Sequence, residues 1–394
     1  MSMSGVLIKS VPAAWPVSSL SEALKLSESG TVQMKITNLR TVQVEVPLEK
    51  PLITAIHETR SVGCVLVYLE TDTGLTGENY IFTLNTSRLS VFDDMIKSLA
   101  HHVVGQDPHY VERMWDGMWR EINPIGHEGI TIGAMSALDT ACWDLIGKAA
   151  GQPVYKLFGA YRDSVKAYAS SGLWLSQTID ELVEEARGFM AQGFRSMKIR
   201  LGKPRMEEDV ARVAAVREAI GPDIELLADG NQAFAPHQAI RLGRMLEPFN
   251  LGWFEEPVAS YDHAGHAAVA AALDVPIASG ETEYTRHGIR AMIDAKAADI
   301  LMPDLQRIGG LTEFRRTASL AAAHNMPIST HIFTEQSLSI AGSAPNCISV
   351  EHVSWFSPLY REKMEIKDGL IAIPQRPGLG FSFDVDAVDR FRVR

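Results

Sequence analysis

The sequence predicts an α/β protein in which a small α+β domain precedes a closed (β/α)8 barrel. From residue 164 onward, short apolar strands alternate with mostly amphipathic helical stretches. There are eight such strands, and most of them end in an acidic residue or a histidine. Strands that alternate with helices pair in parallel through crossover connections, and eight such units favour a barrel.

The eight predicted strands read SVKAYASS, SMKIR, IELLAD, GWFEE, VPIASGE, DILMPD, MPISTH and CISVEH. We expect the last helix to be missing or replaced, which gives a modified TIM barrel of the (β/α)7β type. An open doubly wound sheet is the alternative. Its dinucleotide-binding version is weakened because no GxGxxG turn follows the first strand.

The segment before the barrel has strand-like alternation in VQMKITNLRTVQVEV and CVLVYLETDTGLTG, followed by helical periodicity. We therefore divide the chain into four parts. They are an N-terminal extension over 1–34, an α+β domain over 35–163, the barrel over 164–355 and a C-terminal segment over 356–394 that returns to the α+β domain.

Composition excludes several classes of function. The chain of 394 residues has a net charge of -11, which argues against nucleic acid and anionic membranes as partners. Its apolar runs are shorter than the roughly 20 residues of a membrane span, and prolines interrupt the opening MSMSGVLIKSVPAAWPV, so it lacks a signal-peptide core. We expect a soluble, cytoplasmic protein. Because the chain is acidic overall, an anionic substrate would need a positively charged residue at its binding site.

The acidic residues recur with the period of the barrel. Asp229, Glu255 and Glu281 end consecutive strands and are 26 residues apart, and Asp304, His331 and Glu351 end the next three. One acid after a strand is usually a helix N-cap, but parallel strands bring all their carboxyl ends to one rim. The first three would repel one another without a cation, and their oxygens favour Mg2+ or Mn2+ over zinc.

Strand geometry predicts how the adjacent glutamates Glu255 and Glu256 are oriented. Adjacent strand residues face opposite ways, so one of the two looks into the barrel mouth and the other faces the surrounding layer or a second shell. Lys198 and Arg200 are two residues apart and both point inward. They either neutralise the acids across the barrel or hold a substrate carboxylate.

Asp304 and His331 lie on adjacent predicted strands. A carboxylate there would fix the tautomer of the histidine and raise its basicity, although a lone histidine is more often structural. Glu351 either caps a turn or is a site acid that its carboxylate neighbours keep protonated.

The motifs MKIR, LADGNQ, WFEEP, SGE, LMPDLQRIGG, STHIF and VEH, with GENYIF and ACWDLIGKAAGQPVYKLFG upstream, resemble in order and spacing the mandelate racemase subgroup of the enolase superfamily. The resemblance covers about residues 35 to 385 and implies an N-terminal capping domain over the barrel mouth. It also implies one Mg2+ per subunit, with Mn2+ as a possible substitute, and abstraction of an α-proton through an enediolate.

The resemblance implies a role for each matching residue. It implies that Asp229, Glu255 and Glu281 bind the metal, that His331 paired with Asp304 is the general acid/base, that Lys198 contacts the substrate carboxylate, and that Glu351 hydrogen-bonds it opposite the metal. Arg200 departs from the family, whose racemase has a lysine base there. Arginine is a poor proton acceptor, which puts racemisation in doubt but not dehydration, for which one histidine suffices.

The loop after the first strand carries polar residues, among them His57 and Arg60, which fits a polyol acid better than an aromatic ring. Tyr80, Ser170 and Asn231 match family positions near the substrate. We therefore expect an acid-sugar dehydratase that forms a 2-keto-3-deoxy acid. A racemase or epimerase, a cycloisomerase of a hydroxy acid, and a non-catalytic carboxylate-binding protein are the alternatives. By family analogy we expect a homo-oligomer, an octamer or a dimer.

Overall fold

The computed structural model describes residues 34–393, so the extension predicted over 1–34 lies, except for its last residue, outside the described part. The described chain forms an antiparallel sheet with helices, followed by a parallel barrel. None of the helices in this part is both long enough and apolar enough to cross a membrane.

The antiparallel sheet has three strands, β1 (Ile36–Ile53), β2 (Glu58–Thr71) and β3 (Thr76–Leu84), in that order across the sheet. The middle strand is buried along most of its length, as its apolar run VGCVLVYL requires. Gly74 closes the turn between the second and third strands with φ of 81°, a left-handed conformation that strains other residues.

Four helices follow the sheet, α1 (Leu89–Ser98), α2 (Val111–Glu121), α3 (Ile130–Ala149) and α4 (Val154–Leu157). Helix α3 is buried over nearly its whole length and packs on β3. A Cβ atom added to Gly77 of β3 would overlap the carbonyl oxygen of Ala141 in α3. The close approach of sheet and helix therefore depends on the missing side chain of this glycine.

The barrel is built from eight parallel strands, and pairing of the last strand with the first closes it. In chain order the strands are β4 (Ser164–Ala169), β5 (Ser196–Arg200), β6 (Glu225–Asp229), β7 (Phe254–Glu255), β8 (Ile277–Ser279), β9 (Ile300–Leu301), β10 (Ile328–Thr330) and β11 (Cys347–His352). The closed ring confirms the predicted barrel and rules out the open doubly wound sheet.

Helices connect successive strands on the outside of the barrel. They are α5 (Ile179–Ala191), α6 (Met206–Ile220), α7 (Pro236–Leu246), α8 (His263–Ala272), α9 (Thr285–Ala295), α10 (Leu305–Ile308), α11 (Leu311–Ala323) and α12 (Thr334–Ser343).

The eighth crossover helix is replaced, as predicted. After β11 the chain forms a hairpin of β12 (Ile366–Lys367) and β13 (Leu370–Ala372), and β13 pairs antiparallel with β4. The chain ends in α13 (Val385–Phe391), and the residues after it return to β1, where the backbone N–H of Val393 donates to Gln43. The boundaries at 35, 164 and 356 stay predictions.

Below the rim the barrel interior holds a small apolar cluster. It contains Tyr168, Leu227, Trp253, Ala278, Ile300 and Met302. The rings of Tyr168 and Trp253 meet edge to face with their centroids 5.2 Å apart. This packing forms a rigid floor beneath the polar residues at the strand ends.

We predict that Gly77→Ala destabilises the protein by about 1–3 kcal/mol, because the added methyl group forces β3 away from α3. Gly188→Ala is the matched control. Gly188 lies inside α5 with open space around its Cβ position, so alanine there should stabilise by about 0.4–1 kcal/mol. Thermal unfolding followed by circular dichroism measures both, and equal melting temperatures would contradict the predicted contact.

Candidate active site

A cavity of about 170 Å³ lies at the carboxyl ends of the barrel strands, beneath the loop that joins β1 to β2. The barrel contributes its polar lining, which includes Lys198, Arg200, Asp229, Glu281, His331 and Glu351. A larger cavity of about 470 Å³ adjoins it and shares His57, Phe82 and Arg307 with it. We assign the candidate site to the smaller cavity, since six of the eight predicted catalytic and metal-binding residues line it, all except Glu255 and Asp304.

Lys198 lies at the centre of a buried group of acids. Its side chain is 1% exposed, and its Nζ lies 2.5 Å from Oε1 of Glu255, 2.9 Å from Oε1 of Glu351 and 3.4 Å from Oδ2 of Asp229. Burial alone would lower the pKa of Lys198, but the three acids outweigh it and raise the pKa. The ammonium group is therefore held in its charged form.

Glu351 lines the cavity. Burial tends to raise the pKa of Glu351, but the charges of Lys198, His331 and Arg200 outweigh burial and lower it well below its usual range. The direction of this pKa shift is opposite to the one expected from carboxylate neighbours alone. The ionised carboxylate also accepts hydrogen bonds from Oγ of Ser170 at 2.5 Å and from the backbone N–H of Ile332 at 2.7 Å.

The bond from Ile332 comes from an unusual turn. Ile332 and Phe333 follow β10 with φ of 42° and 41°, in the left-handed region that a β-branched residue such as isoleucine rarely adopts. This conformation turns the N–H of Ile332 onto the carboxylate of Glu351. Backbone strain of this kind often accompanies functional sites.

The three predicted metal ligands lie at the rim, but their present partners differ. Asp229 and Glu255 are paired in register on neighbouring strands, and both contact Lys198. Glu281 follows β8 by two residues, and its Oε2 lies 3.2 Å from Nε2 of His331. The structure thus brings Asp229 and Glu255 together and sets Glu281 on the histidine side of the same cavity.

Supporting hydrogen bonds hold two of these carboxylates. Asn231 donates to Asp229 from its backbone N–H at 2.8 Å and from its Nδ2 at 3.1 Å. The indole Nε1 of Trp253 donates to Oε2 of Glu255 at 3.0 Å. Burial raises the pKa of Glu255, and Lys198 opposes this. Three carboxylates on one rim, two of them held by such hydrogen bonds, suit a hard divalent cation that prefers oxygen ligands.

Glu256 departs from simple strand alternation. Strand β7 ends at Glu255, and Glu256 has φ of 34°, so the side chain of Glu256, unlike that of Glu255, lines the cavity. There its carboxylate accepts hydrogen bonds from Gln232 at 2.9 Å and from Thr282 at 2.8 Å. The alternation argument therefore holds only as far as Glu255, and the left-handed backbone decides where Glu256 points.

The predicted pairing of Asp304 with His331 is present. Nδ1 of His331 lies 2.7 Å from Oδ2 of Asp304, which leaves Nε2 facing the cavity beside Glu281. Oδ1 of Asp304 accepts the backbone N–H groups of Gln306 and Arg307, so this aspartate is also the N-cap of α10. Burial acts to lower the pKa of His331, but Glu281 and Asp304 raise it to about 9.

Arg200 makes the contacts of a cation and a hydrogen-bond donor, and none that would suit a base. Its Nη2 donates to Oγ of Ser170 at 2.9 Å, and its guanidinium lies 4.6 Å from the centre of a Trp174 ring. Its Nε lies 3.4 Å from Oδ2 of Asp229. These contacts use the guanidinium as a cation and as a hydrogen-bond donor.

The five predicted substrate-binding residues divide into three groups. His57 and Asn231 line the cavity, and Ser170 is buried beneath it against Glu351. Tyr80 lies outside the lining, because its fully buried ring packs against the apolar core around Phe333 and Phe356. Arg60 also lies outside it, since β2 alternation turns its side chain toward solvent, where it pairs with Glu58.

Sequence reasoning missed much of the cavity wall. Several missed residues are apolar, namely Leu52, Ile56, Phe82, Leu84, Trp174 and Trp355, so the cap is less polar than the loop sequence implied. Arg307 was also missed, although it lies within the motif LMPDLQRIGG. Its Nη1 donates to the backbone carbonyl of Glu281 at 2.8 Å. The sequence signal that could have indicated Arg307 is its position three residues after Asp304, within a motif that already carries a site residue.

Comparison with known proteins gives strong matches over most of the chain. The sequence is 34% identical over 328 residues to the L-talarate/galactarate dehydratase of Salmonella typhimurium, covering 83% of this chain and 82% of that protein. It is 34% identical over 360 residues to the 3,6-anhydro-alpha-L-galactonate cycloisomerase of Streptomyces coelicolor, covering 91% and 99%.

The fold matches solved structures of the same kind. The L-talarate dehydratase of Polaromonas sp. JS666, crystallised with Mg and L-glucarate, superposes with a TM-score of 0.87 at 34% identity, covering 92% of this chain and 98% of that one. Residues 36–159 match the mandelate racemase / muconate lactonizing enzyme N-terminal domain, and residues 181–388 match the enolase C-terminal domain-like family. The chain belongs to the mandelate racemase / muconate lactonizing enzyme family of the enolase superfamily.

Proposed function

We propose that this protein is a Mg2+-dependent dehydratase of acid sugars. It removes the α-proton of a sugar carboxylate and expels the β-hydroxyl group, and the product is a 2-keto-3-deoxy acid. One observation carries the proposal: His331, held by Asp304, shares a cavity with oxygen-donor carboxylates and the buried ammonium of Lys198. The relatives that dehydrate talarate, galactarate and arabinonate support the same reaction class.

We propose that the metal is held by acids at the barrel rim. Asp229, Glu255 and Glu281 would hold one Mg2+ per subunit, with Mn2+ as a possible substitute, and Glu256 would stay outside the ligand set. The bound ion would supply positive charge beside the substrate carboxylate, where removal of the α-proton builds negative charge. Oxygen ligands alone, without cysteine or histidine, support this choice of metal.

His331 is the proposed general acid/base. Its Nδ1 is occupied by Asp304, so Nε2 is the atom that accepts the α-proton. Glu281 makes the largest contribution that raises the pKa of His331. A cation bound to Glu281 would remove this contribution and lower the pKa of His331 toward that of a general base. The imidazolium then returns its proton to the departing β-hydroxyl group, which leaves as water, and the resulting enol tautomerises to the keto acid.

Lys198, Glu351 and Arg200 form the opposite side of the site. We propose that Lys198 contacts the substrate carboxylate and that Glu351, when it is protonated, donates a hydrogen bond to it. Arg200 orients Ser170, which in turn orients Glu351. Neither cation is assigned as a second base, because Lys198 is given to the substrate carboxylate and a guanidinium does not deprotonate. This asymmetry favours elimination, which needs one base, over racemisation, which needs two.

The substrate is proposed to be a mono- or di-acid sugar. His57 and Asn231 offer polar contacts in the cavity, and Arg307 is a cation shared with the adjoining larger cavity. The apolar cap residues exclude water around these few polar groups. A homo-oligomer, either a dimer or an octamer, and a cytoplasmic location remain parts of this proposal, and light scattering on the purified protein measures the first.

We predict that the protein converts at least one member of a panel of aldonates and aldarates to a keto acid in the presence of Mg2+. The reaction is followed by NMR in deuterated water, which reports exchange, epimerisation and elimination together. His331→Asn should lower the rate by about 10²- to 10⁴-fold. His324→Asn, at an exposed histidine after α11, is the matched control and should keep full activity.

The same panel distinguishes the alternatives. Deuterium incorporation at the α-carbon from both faces, without keto acid, would replace the proposal with a racemase or epimerase. Formation or opening of a lactone would indicate a cycloisomerase, as in the Streptomyces coelicolor relative. Absence of α-proton exchange in both the parent and His331→Asn would point to a carboxylate-binding protein without catalysis.

We predict that Glu281→Gln lowers the affinity for Mg2+ by at least about tenfold, because it removes one charged oxygen ligand. Glu256→Gln is the control. Glu256 is occupied by Gln232 and Thr282, so its loss should change the affinity much less. Calorimetric titration of both variants with Mg2+ measures this, and a larger loss in Glu256→Gln would assign the metal to that side chain instead.

We predict that Lys198→Met destabilises the metal-free protein by about 3–5 kcal/mol, because it leaves buried carboxylates without their cation. The deficit should be smaller at pH 5 than at pH 8. Without the ammonium the folded-state pKa values of the acids rise above their unfolded-state values. Such acids are protonated more easily in the folded state, so stability falls as pH rises and they are forced to ionise.

Lys203→Met is the matched control for this measurement. Lys203 donates a hydrogen bond to Asp209, in the first turn of α6, from its backbone N–H, which the substitution leaves in place. It should unfold like the parent at both pH values. A Lys198→Met variant with unchanged stability at pH 8 would show that the acids do not need this cation.

A further inference from the structure

A cluster of two histidines and a glutamate lies on the N-terminal domain, apart from the lining of the active-site cavity. Helix α1 is followed by a 3-10 turn, Ala100–His102, and α2 ends at Glu121. Nε2 of His101 and Nε2 of His102 each lie 2.7 Å from the same carboxylate oxygen, Oε2 of Glu121. The side chains of His101, His102 and Glu121 are 60%, 21% and 44% exposed.

The hydrogen-bond pattern of His101 requires a proton or a metal ion in this cluster. Its Nδ1 lies 3.1 Å from the carbonyl oxygen of Ser98, which can only accept, so Nδ1 carries the hydrogen. In a neutral ring Nε2 then has a lone pair, and that lone pair faces a carboxylate oxygen. Two lone pairs at this distance repel each other unless a proton or a metal ion lies between them.

The position of the second histidine rests on a glycine inside a helix. Gly117 lies within α2, where glycine costs about 1 kcal/mol relative to alanine. A Cβ atom at Gly117 would lie 2.8 Å from Nδ1 of His102, so the imidazole lies directly against the helix backbone. The rings of His101 and His102 are 4.3 Å apart, which brings both Nε2 atoms to one side.

We propose that His101, His102 and Glu121 bind a Zn2+ ion, with water completing its coordination. Two imidazole nitrogens and one carboxylate oxygen suit zinc, whereas Mg2+ prefers oxygen alone. The carbonyl of Ser98 holds His101 in the tautomer that presents Nε2, as second-shell groups do in zinc sites. This site therefore differs from the rim acids both in place and in the metal it selects.

The ion would tie the turn after α1 to the last residue of α2. The opposite end of α1 begins after Arg88, which with Phe92 lines the larger cavity beside the active site. Zinc should raise the melting temperature, since it binds the folded chain, where the three side chains are close together, and not the unfolded chain, where they are separated. Catalysis does not require it, because none of the three ligands touches the reaction cavity.

The experiment is titration of the full-length, metal-free protein with Zn2+ in the presence of saturating Mg2+, which keeps the rim acids occupied. We expect one zinc per chain and a rise in melting temperature. His101→Gln and Glu121→Gln should each weaken this binding by at least about tenfold. His237→Gln, at an exposed histidine of α7, is the matched control and should bind as the parent does.

Co2+ in place of Zn2+ gives a second readout that does not depend on stability. Visible absorption bands of Co2+ bound to nitrogen and oxygen ligands should appear in the parent and in His237→Gln, and be lost in His101→Gln. Equal zinc stoichiometry and affinity in the parent and both ligand variants would overturn the proposal. So would absence of binding in the parent, which would identify the cluster as imidazolium–carboxylate pairs only.

Discussion

The balance between one buried ammonium and the acids around it governs this active site. Lys198 is almost fully buried, yet it lies within 3.4 Å of three carboxylates that the barrel brings together from separate strands. Buried ions are tolerated only when they are paired, so the lysine and the acids depend on one another. The floor of Tyr168 and Trp253 excludes water below them, which strengthens every interaction among these charges.

Much of this arrangement could be predicted from the sequence because it depends on periodicity. Asp229, Glu255 and Glu281 recur at the length of one strand-helix unit, and parallel strands place such residues on one rim whatever the details of the loops. The contact of Asp304 with His331 follows from the same rule applied to neighbouring strands. The barrel, and the meeting of these residues at one end of it, could therefore be predicted from the sequence.

The remainder depends on backbone torsions and long-range packing, which periodicity does not encode. Glu256 reaches the cavity because its left-handed φ interrupts strand alternation. Tyr80 belongs to the core because residues more than 250 positions later in the chain, Phe333 and Phe356, enclose its ring. The apolar cap was hidden for the same reason, since Trp174 comes from a loop that sequence reasoning assigned no role.

Asp304 has a further consequence for how the protein can change over evolution. One of its oxygens fastens the first turn of α10 and the other steers the imidazole of His331. A change in the path of that helix would therefore displace the imidazole of His331, and through Arg307, on the same turn, it would also shift the backbone of Glu281. New substrate preferences are thus more readily acquired through the cap, whose side chains can vary without disturbing this linkage.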